Sequence, residues 1–287
     1  MKTHLECVPC LLRQALEAAK MSTTDKGVQE NSLREVTIYL SNEQWAKDLP
    51  ELGTNVHRIV KRVTGNADPY KELKDKYNQM ALRLYLRLKS LVDYSKDPLL
   101  TATKVAIAGN VIDFGPKVNI NLEKEVRDIL DNELVINDID RLKKAFLKSK
   151  KALYLADNAG ETVFDRILIE EIVKRNVDVT YVVKDAPILN DATFRDAETA
   201  GITNIARIMS IGTDCTGVLF EECSKEFLRE FQNSSLVISK GQGNYESLND
   251  IKNKEIFFLL KIKCPIIADN VGAETSSTVL MRSFKNE

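Results

Sequence analysis

Two segments of this 287-residue chain combine residue types that bind hard cations: Asp157-Asn158-Ala159-Gly160-Glu161 and Asn190-Asp191-Ala192-Thr193. Carboxylate and amide oxygens suit magnesium-like ions, which keep their remaining coordination positions for water and a substrate phosphate. Asp157 and Asp191 would each give a carboxylate oxygen, and Asn158 its side-chain carbonyl. A cation so held polarises a phosphoryl oxygen and lowers the pKa of a bound water. A third segment, Lys240-Gly241-Gln242-Gly243-Asn244, offers a point charge for the phosphate and two glycines that let backbone N–H groups approach an anion. Phosphoryl transfer is served by positioning and charge neutralisation, and these parts supply both.

Each segment alone also fits ordinary structure. An Asp or Asn after a strand is often a turn former, and Asn158 or Thr162 could cap the helix that follows. A lone Lys-Gly is more often a solvated loop. Convergence of several such loops on one edge is what favours chemistry.

The elements that would produce convergence are legible in the second half. Short apolar runs at 152–156, 179–183, 205–209, 236–239 and 265–268 read as strands, and 162–175 and 221–231 as helices. Strand and helix in alternation predict a Rossmann-like α/β fold, a mostly parallel sheet with helices on both faces. Right-handed crossovers put successive strand ends on one edge, beyond which ligands bind. The loops there would be 157–161, 184–191, 211–217 and 240–246, carrying carboxylates, amides, glycines, Lys184 and Lys240. Residues 1–150 read as a mainly helical part, with apolar stripes such as Leu73, Tyr77, Ala81, Leu84 and Leu88. Residues 151–287 form the α/β domain expected to carry the metal site, with no flexible joint between the two.

Bulk properties exclude some classes. Lys plus Arg total 41 and Asp plus Glu 42, which argues against broad capture of nucleic acid. No apolar run approaches the ~20 residues that span a bilayer, and no secretory core follows Met1, so a cytoplasmic protein with no membrane partner is expected. Five cysteines in a chain this long are no disulfide framework. Cys7 and Cys10, with His4 just before, are spaced for metal or redox chemistry but supply at most three ligands, and the spacing equally suits one buried helical face. Cys215, Cys223 and Cys264 are isolated, with burial the expectation; His57 is expected at the surface.

In order along the chain, Glu6-Cys7-Val8-Pro9-Cys10, Asp68-Pro69-Tyr70-Lys71-Glu72-Leu73-Lys74, Ala108-Gly109-Asn110-Val111-Ile112-Asp113-Phe114-Gly115, Asp157-Asn158-Ala159-Gly160-Glu161, Asn190-Asp191-Ala192-Thr193 and Lys240-Gly241-Gln242-Gly243-Asn244-Tyr245-Glu246 form a pattern. The chain resembles the metal-dependent damage-control phosphatases, a family long filed as a domain of unknown function and related to a protein described as an acidic-residue methyltransferase. The likeness covers nearly the whole chain and points to the prokaryotic and archaeal branch with an N-terminal Cys-x-x-Cys. It implies a helical N-terminal part on a Rossmann-like domain and a divalent metal, manganese, cobalt or nickel, held by Asp157, Asn158 and Asp191. It implies that Lys240 contacts the phosphate of a small phosphorylated metabolite, often a sugar phosphate, with Asn244 close by. Asn110 and Asp113 become candidate pocket residues, and Glu161 a candidate for orienting the metal's waters. Asp157, Asp191 and Lys240 are the candidate catalytic residues, the nucleophile being either activated water or one of the two aspartates.

Competing readings have weaker support. An S-adenosylmethionine-dependent carboxyl methyltransferase would want a glycine-rich turn after the first strand, where Asp157 would repel a carboxylate-bearing cofactor. A haloacid-dehalogenase-type phosphatase would need a second acid at Ala159, and a nicotinamide dehydrogenase lacks its Gly-x-Gly-x-x-Gly. A binding protein that keeps the pocket without turnover is the non-enzymatic alternative.

Overall fold

The computed structural model describes residues 1–43, 45, 47–109 and 122–283, with 122–126 described in backbone only. Its first part is helical: α1 (Cys7–Ser22), α2 (Lys26–Asn42), α3 (Leu49–Thr64), α4 (Lys71–Asp93), α5 (Pro98–Gly109) and α6 (Leu122–Asp131). A short β1 (Ile136–Asn137) and α7 (Ile139–Lys148) lead into the alternating part. There follow β2 (Lys151–Leu155), α8 (Thr162–Val173), β3 (Asp178–Val183), α9 (Phe194–Thr199), β4 (Arg207–Ser210), α10 (Lys225–Asn233) and β5 (Leu236–Lys240). The chain closes with α11 (Gln242–Leu248), β6 (Glu255–Lys261), α12 (Pro265–Val271) and β7 (Thr278–Arg282).

Among the described residues, seven strands form one sheet in the order β1-β7-β6-β5-β2-β3-β4. All neighbours are parallel except β6 and β7. From β2 the chain winds outward through β3 and β4, then returns to lay β5 on the other side of β2. That reversal makes the carboxyl ends of β2 and β5 a topological switch point, where doubly wound sheets open a crevice.

Side-chain alternation divides the core in two. Ala152, Tyr154, Tyr181, Ile238 and Phe257 face a layer built from α4, α5 and α8; Leu153, Leu155, Val182, Val237 and Phe258 face Phe227 and Phe231 of α10 and Tyr245 of α11. The first core crosses residue 150, because Val105, Ile107 and Ala108 of α5 pack with Val163, Ile167 and Leu168 of α8. β1, from before residue 150, pairs with β7. Helices α1–α3 keep a smaller core of their own around Leu11, Val36, Leu52 and Val56.

The expected α/β architecture is present, with local corrections. The run 265–268, expected as a strand, is helix α12: Pro265 sits in the first turn, where its fixed φ suits a helix, and Gly272 closes it in the left-handed region. Ile267, Ala268 and Val271 then bury at helical spacing. The sheet position belongs to Glu255–Lys261, whose central five residues are all buried, as an interior strand covered on both faces demands. β4 starts at Arg207 rather than 205, because a 3-10 turn at Ile202–Asn204 occupies the approach. α10 starts at Lys225 rather than 221, because the Ser224 side chain caps it by accepting from Phe227 N. His57 is buried rather than at the surface, its Nε2 3.2 Å from Gln14 Oε1, and burial pushes it down to about 4. Among the described residues no helix is long and apolar enough to cross a membrane.

Candidate active site

The loops after β2 and β3 are laced together by their backbones. Ala192 N donates to Asp157 O (2.7 Å), Ala159 N to Asn190 O (2.9 Å), and Lys184 N to Ala192 O (2.9 Å). Asn158 and Asp191 form an antiparallel bridge, and Lys184 and Thr193 a parallel one. Two segments separated by more than thirty residues therefore present Asp157, Asn158 and Asp191 side by side on backbone hydrogen bonds rather than on side-chain chance. The capping alternative fails: neither Asn158 nor Glu161 makes a side-chain cap, and Thr162 Oγ1 donates backward to Ala159 O. Asn158 Nδ2 instead donates to Asp157 Oδ2 (2.9 Å) and to Glu161 Oε1 (2.5 Å).

The third segment closes the switch point from β5. Gly241 adopts φ 77°, and a Cβ there would fall 2.0 Å from Asp157 Oδ2. Only glycine lets this backbone lie against the Asp157 carboxylate. Asn244, expected beside the phosphate, is buried and donates from Nδ2 to Ala156 O and Lys240 O, both 2.9 Å. It thus ties the ends of β2 and β5 together directly beneath Asp157.

Lys240, expected on the phosphate, has no exposed surface. Its Nζ donates to Glu161 Oε2 (2.8 Å) and Asp165 Oδ1 (2.7 Å). Burial works against its charge, but the two carboxylates outweigh that and hold it above the ordinary lysine range. Asp165 also accepts from Tyr154 Oη (2.7 Å) and Tyr181 Oη (2.8 Å); burial pushes its carboxyl up against the pull of Lys240. The sequence reading missed Asp165, although it lies four residues after Glu161, the N-cap of α8, and so one turn along the chain from it.

The rim carboxylates are crowded by like charge. Burial, then Glu161 and Asp191, push the Asp157 carboxyl well above its usual range, with Lys263 and Lys240 opposing. Burial pushes Asp191 up to about 6 against the field of Lys184, whose Nζ lies 3.6 Å from Asp191 Oδ2. Two oxygen-donor carboxylates and an amide, desolvated together, are a donor set that a divalent cation fits. No group of three His, Cys, Asp or Glu among the described residues is arranged to hold a metal, so the shell depends on Asn158 as its third donor.

The helical part holds the loop that carries Asp191. Lys61 Nζ donates to Pro187 O (2.9 Å), and Leu189, at φ 45°, packs against the core of α1–α3. Arg58 and Lys61 both clasp Asp214, in the loop after β4. Lys74, from the Asp68–Lys74 motif, is buried, pairs with Asp68 (2.7 Å) and adds positive field at Asp191. Asn110 and Asp113 lie outside the described residues. The cysteines are all free: Cys215 is buried as expected, whereas Cys223 and Cys264, also expected to be buried, are partly exposed, and of the Cys-x-x-Cys pair Cys7 is buried and Cys10 partly exposed.

A sheet crevice ringed by these loops matches a known class of protein. Residues 3–279 match the model of the damage-control phosphatase ARMT1-like domain, and the chain belongs to that family. Among its relatives, a damage-control phosphatase of Pyrococcus horikoshii is 34% identical, with 99% of each chain covered. A damage-control phosphatase of Archaeoglobus fulgidus is 35% identical over 97% of this chain and 98% of that one. An uncharacterized protein of Methanocaldococcus jannaschii is 40% identical over 98% and 96%. The crystal structure of the Pyrococcus horikoshii protein, described as a member of the DUF89 family, superposes with a TM-score of 0.92 over 99% of this chain and 100% of that one.

Proposed function

We propose that this chain is a divalent-metal-dependent phosphatase acting on phosphomonoesters of small metabolites, with Asp157, Asn158 and Asp191 as metal ligands. The observation that carries the reading is the backbone lacing of 157–159 to 190–192 at the switch point. Membership of the damage-control phosphatase family supports the reaction class, and relatives covered almost end to end carry that name.

A divalent cation at this site, manganese, cobalt, nickel or magnesium, supplies charge neutralisation and polarises a phosphoryl oxygen. The chain's own residues do the rest. Asn158 is oriented by its hydrogen bonds to Asp157 and Glu161. Glu161 is fixed in turn by Lys240, so the buried ion pairs set the geometry of the donors above them. Lys184, poised beside Asp191, is the cation we assign to the phosphate side. Lys240 contributes positive field from beneath, its Nζ already donating to two carboxylates. The same crowding of acids disfavours a cofactor that brings its own carboxylate, which counts against the methyltransferase alternative.

The test is hydrolysis of p-nitrophenyl phosphate and of a sugar-phosphate panel by chelator-stripped protein, with each divalent ion restored in turn. Turnover that appears with metal and vanishes in Asp157→Asn with Asp191→Asn supports the assignment. Equal turnover in chelator, or in that double variant, removes it.

A further inference from the structure

The Cys-x-x-Cys motif at the start of α1 has no part in the phosphatase reading, and the structure narrows its uses. Among the described residues no three His, Cys, Asp or Glu are grouped to hold a metal, so Cys7, Cys10 and the preceding His4 are no metal shell. Nor do the two cysteines share one buried face, since Cys7 is buried and Cys10 partly exposed. Polar side chains converge on the exposed sulfur. Arg13 Nη2 donates to Cys10 Sγ at 3.7 Å and Gln14 Nε2 at 3.4 Å. Gln14 is itself oriented: its Oε1 lies 3.2 Å from Nε2 of His57, a ring that burial keeps neutral. A neutral ring facing an amide oxygen donates from that nitrogen, which leaves the amide nitrogen of Gln14 turned to the sulfur. A guanidinium and an amide donor directed at one sulfur are partners for a thiolate, the form that attacks disulfides.

Cys7 has opposite surroundings. Burial pushes its thiol up against the backbone hydrogen bond at His4, and the fields of Glu246, Cys264 and Cys10 add to the rise. Helix geometry fixes the spacing of the pair. Residues three apart in an α-helix have Cα atoms about 5 Å from each other, inside the roughly 4.4–6.8 Å that a disulfide spans. Cys264, the N-cap of α12, is a third sulfur felt at Cys7, but its Sγ takes Gln242 Nε2 at 3.9 Å.

We infer that Cys7 and Cys10 are a redox-active dithiol that exchanges with small-molecule disulfides, Cys10 being the attacking sulfur, held by Arg13 and Gln14, and Cys7 the resolving one. The inference is independent of the phosphatase reading. The Cys10 thiolate attacks one sulfur of R–S–S–R, which forms Cys10–S–S–R and releases R–S⁻. The Cys7 sulfur then attacks the Cys10 sulfur. The Cys7–Cys10 bond forms, and the second R–S group leaves with the Cys7 proton as R–S–H. Two electrons pass from the pair to the small disulfide, and a dithiol reductant reverses both steps.

The experiment equilibrates the full chain with glutathione buffers from fully reduced to fully oxidised, traps the remaining thiols with N-ethylmaleimide and maps the tryptic peptides. Cys7 and Cys10 share one peptide, 3–13, cut after Lys2 and Arg13, so their bond shows as that peptide unalkylated and lighter by two hydrogens. It is expected to form as the buffer becomes oxidising and to vanish with dithiothreitol. In Cys7→Ser a glutathione adduct should stay on Cys10. In Cys10→Ser the adduct on Cys7 should form about tenfold more slowly or less. In the reduced chain Cys10 should react with iodoacetamide about tenfold faster than Cys264, which is also partly exposed. Arg13→Ala with Gln14→Ala should slow Cys10 about threefold to tenfold. Both thiols still trapped in the most oxidising buffer overturn the dithiol. A cross-link from 3–13 to the peptide that starts at Cys264 overturns the pairing. Adducts forming equally fast in the two single variants overturn the division of roles. A Cys10 rate no faster than that of Cys264, or unchanged in the double variant, overturns the part given to Arg13 and Gln14.

Discussion

Two acidic clusters meet at Glu161, and their carboxylates are satisfied differently. In the lower one, Lys240 sits between Glu161 and Asp165, and two tyrosine hydroxyls complete Asp165. In the upper one, Asp157 and Asp191 share a dry rim with Glu161 as a further acid, and both are pushed up in pKa by burial. A buried network whose carboxylates share a cation and hydroxyl donors is rigid, whereas buried carboxylates crowded by like charge bind a proton or a cation avidly. Glu161 belongs to both clusters, which lets the rigid one orient the reactive one.

The comparison can be broken from either side. The largest effect is expected at the rim: Asp157→Asn with Asp191→Asn should lower metal-dependent kcat/KM on the order of 10³-fold or more. Circular dichroism should show a folded chain, because the lacing between the loops is made by backbone groups. The lower cluster should answer in stability. Lys240→Met leaves two buried carboxylates without their cation, which costs about 3–5 kcal/mol in urea unfolding. The loss should lessen as pH falls and those carboxyls protonate. Tyr181→Phe removes one hydrogen bond to Asp165 and should cost about 1.5 kcal/mol, with kcat changed less than stability.

A pH comparison sharpens the contrast further. The folded chain holds the Asp191 proton to about 6, while an unfolded aspartate releases it near about 4. Protons are therefore bound on folding within that window, and the stability from this group falls as pH rises through it. A divalent ion competes with the same proton. Its stabilisation, read as a shift in Tm at saturating metal, should be large at pH 7.5 and small at pH 5. Equal shifts at both would place the metal elsewhere. The smallest effect belongs to the clasp between the helical part and the loop after β4: Arg58→Ala should cost no more than about 1 kcal/mol, since this ion pair is partly exposed.

The alternation of strands and helices was readable because parallel strands buried on both faces form short apolar runs, and the acids at their ends stand out against them. Asp157, Asn158 and Asp191 were legible for that reason. What sequence could not show was distance across the sheet. β6 escapes the strand pattern and 265–268 reads as a strand, since both are short apolar runs that periodicity does not separate. Lys240 and Asn244 lie at the end of β5, where the strand pattern puts them, yet a lysine in a Lys-Gly turn looks solvated. Only the tertiary approach of Glu161 and Asp165 shows that its ammonium is buried. Asp165 drew no notice inside an apolar helical stripe, because its partners Tyr154 and Tyr181 come from two different strands. Asp68 and Lys74 were visible as part of a motif, but their place beside Asp191 depends on how α4 packs on the sheet.

The central claim is that the rim binds one divalent ion that phosphoester hydrolysis requires. Its most direct measurement is a calorimetric titration of manganese into chelator-stripped protein, with p-nitrophenyl phosphate hydrolysis followed at each step. The predicted result is one ion bound per chain, with activity rising in proportion to occupancy and both signals absent in Asp157→Asn with Asp191→Asn. Full activity before any ion is added, or an unchanged binding isotherm in the double variant, would contradict it.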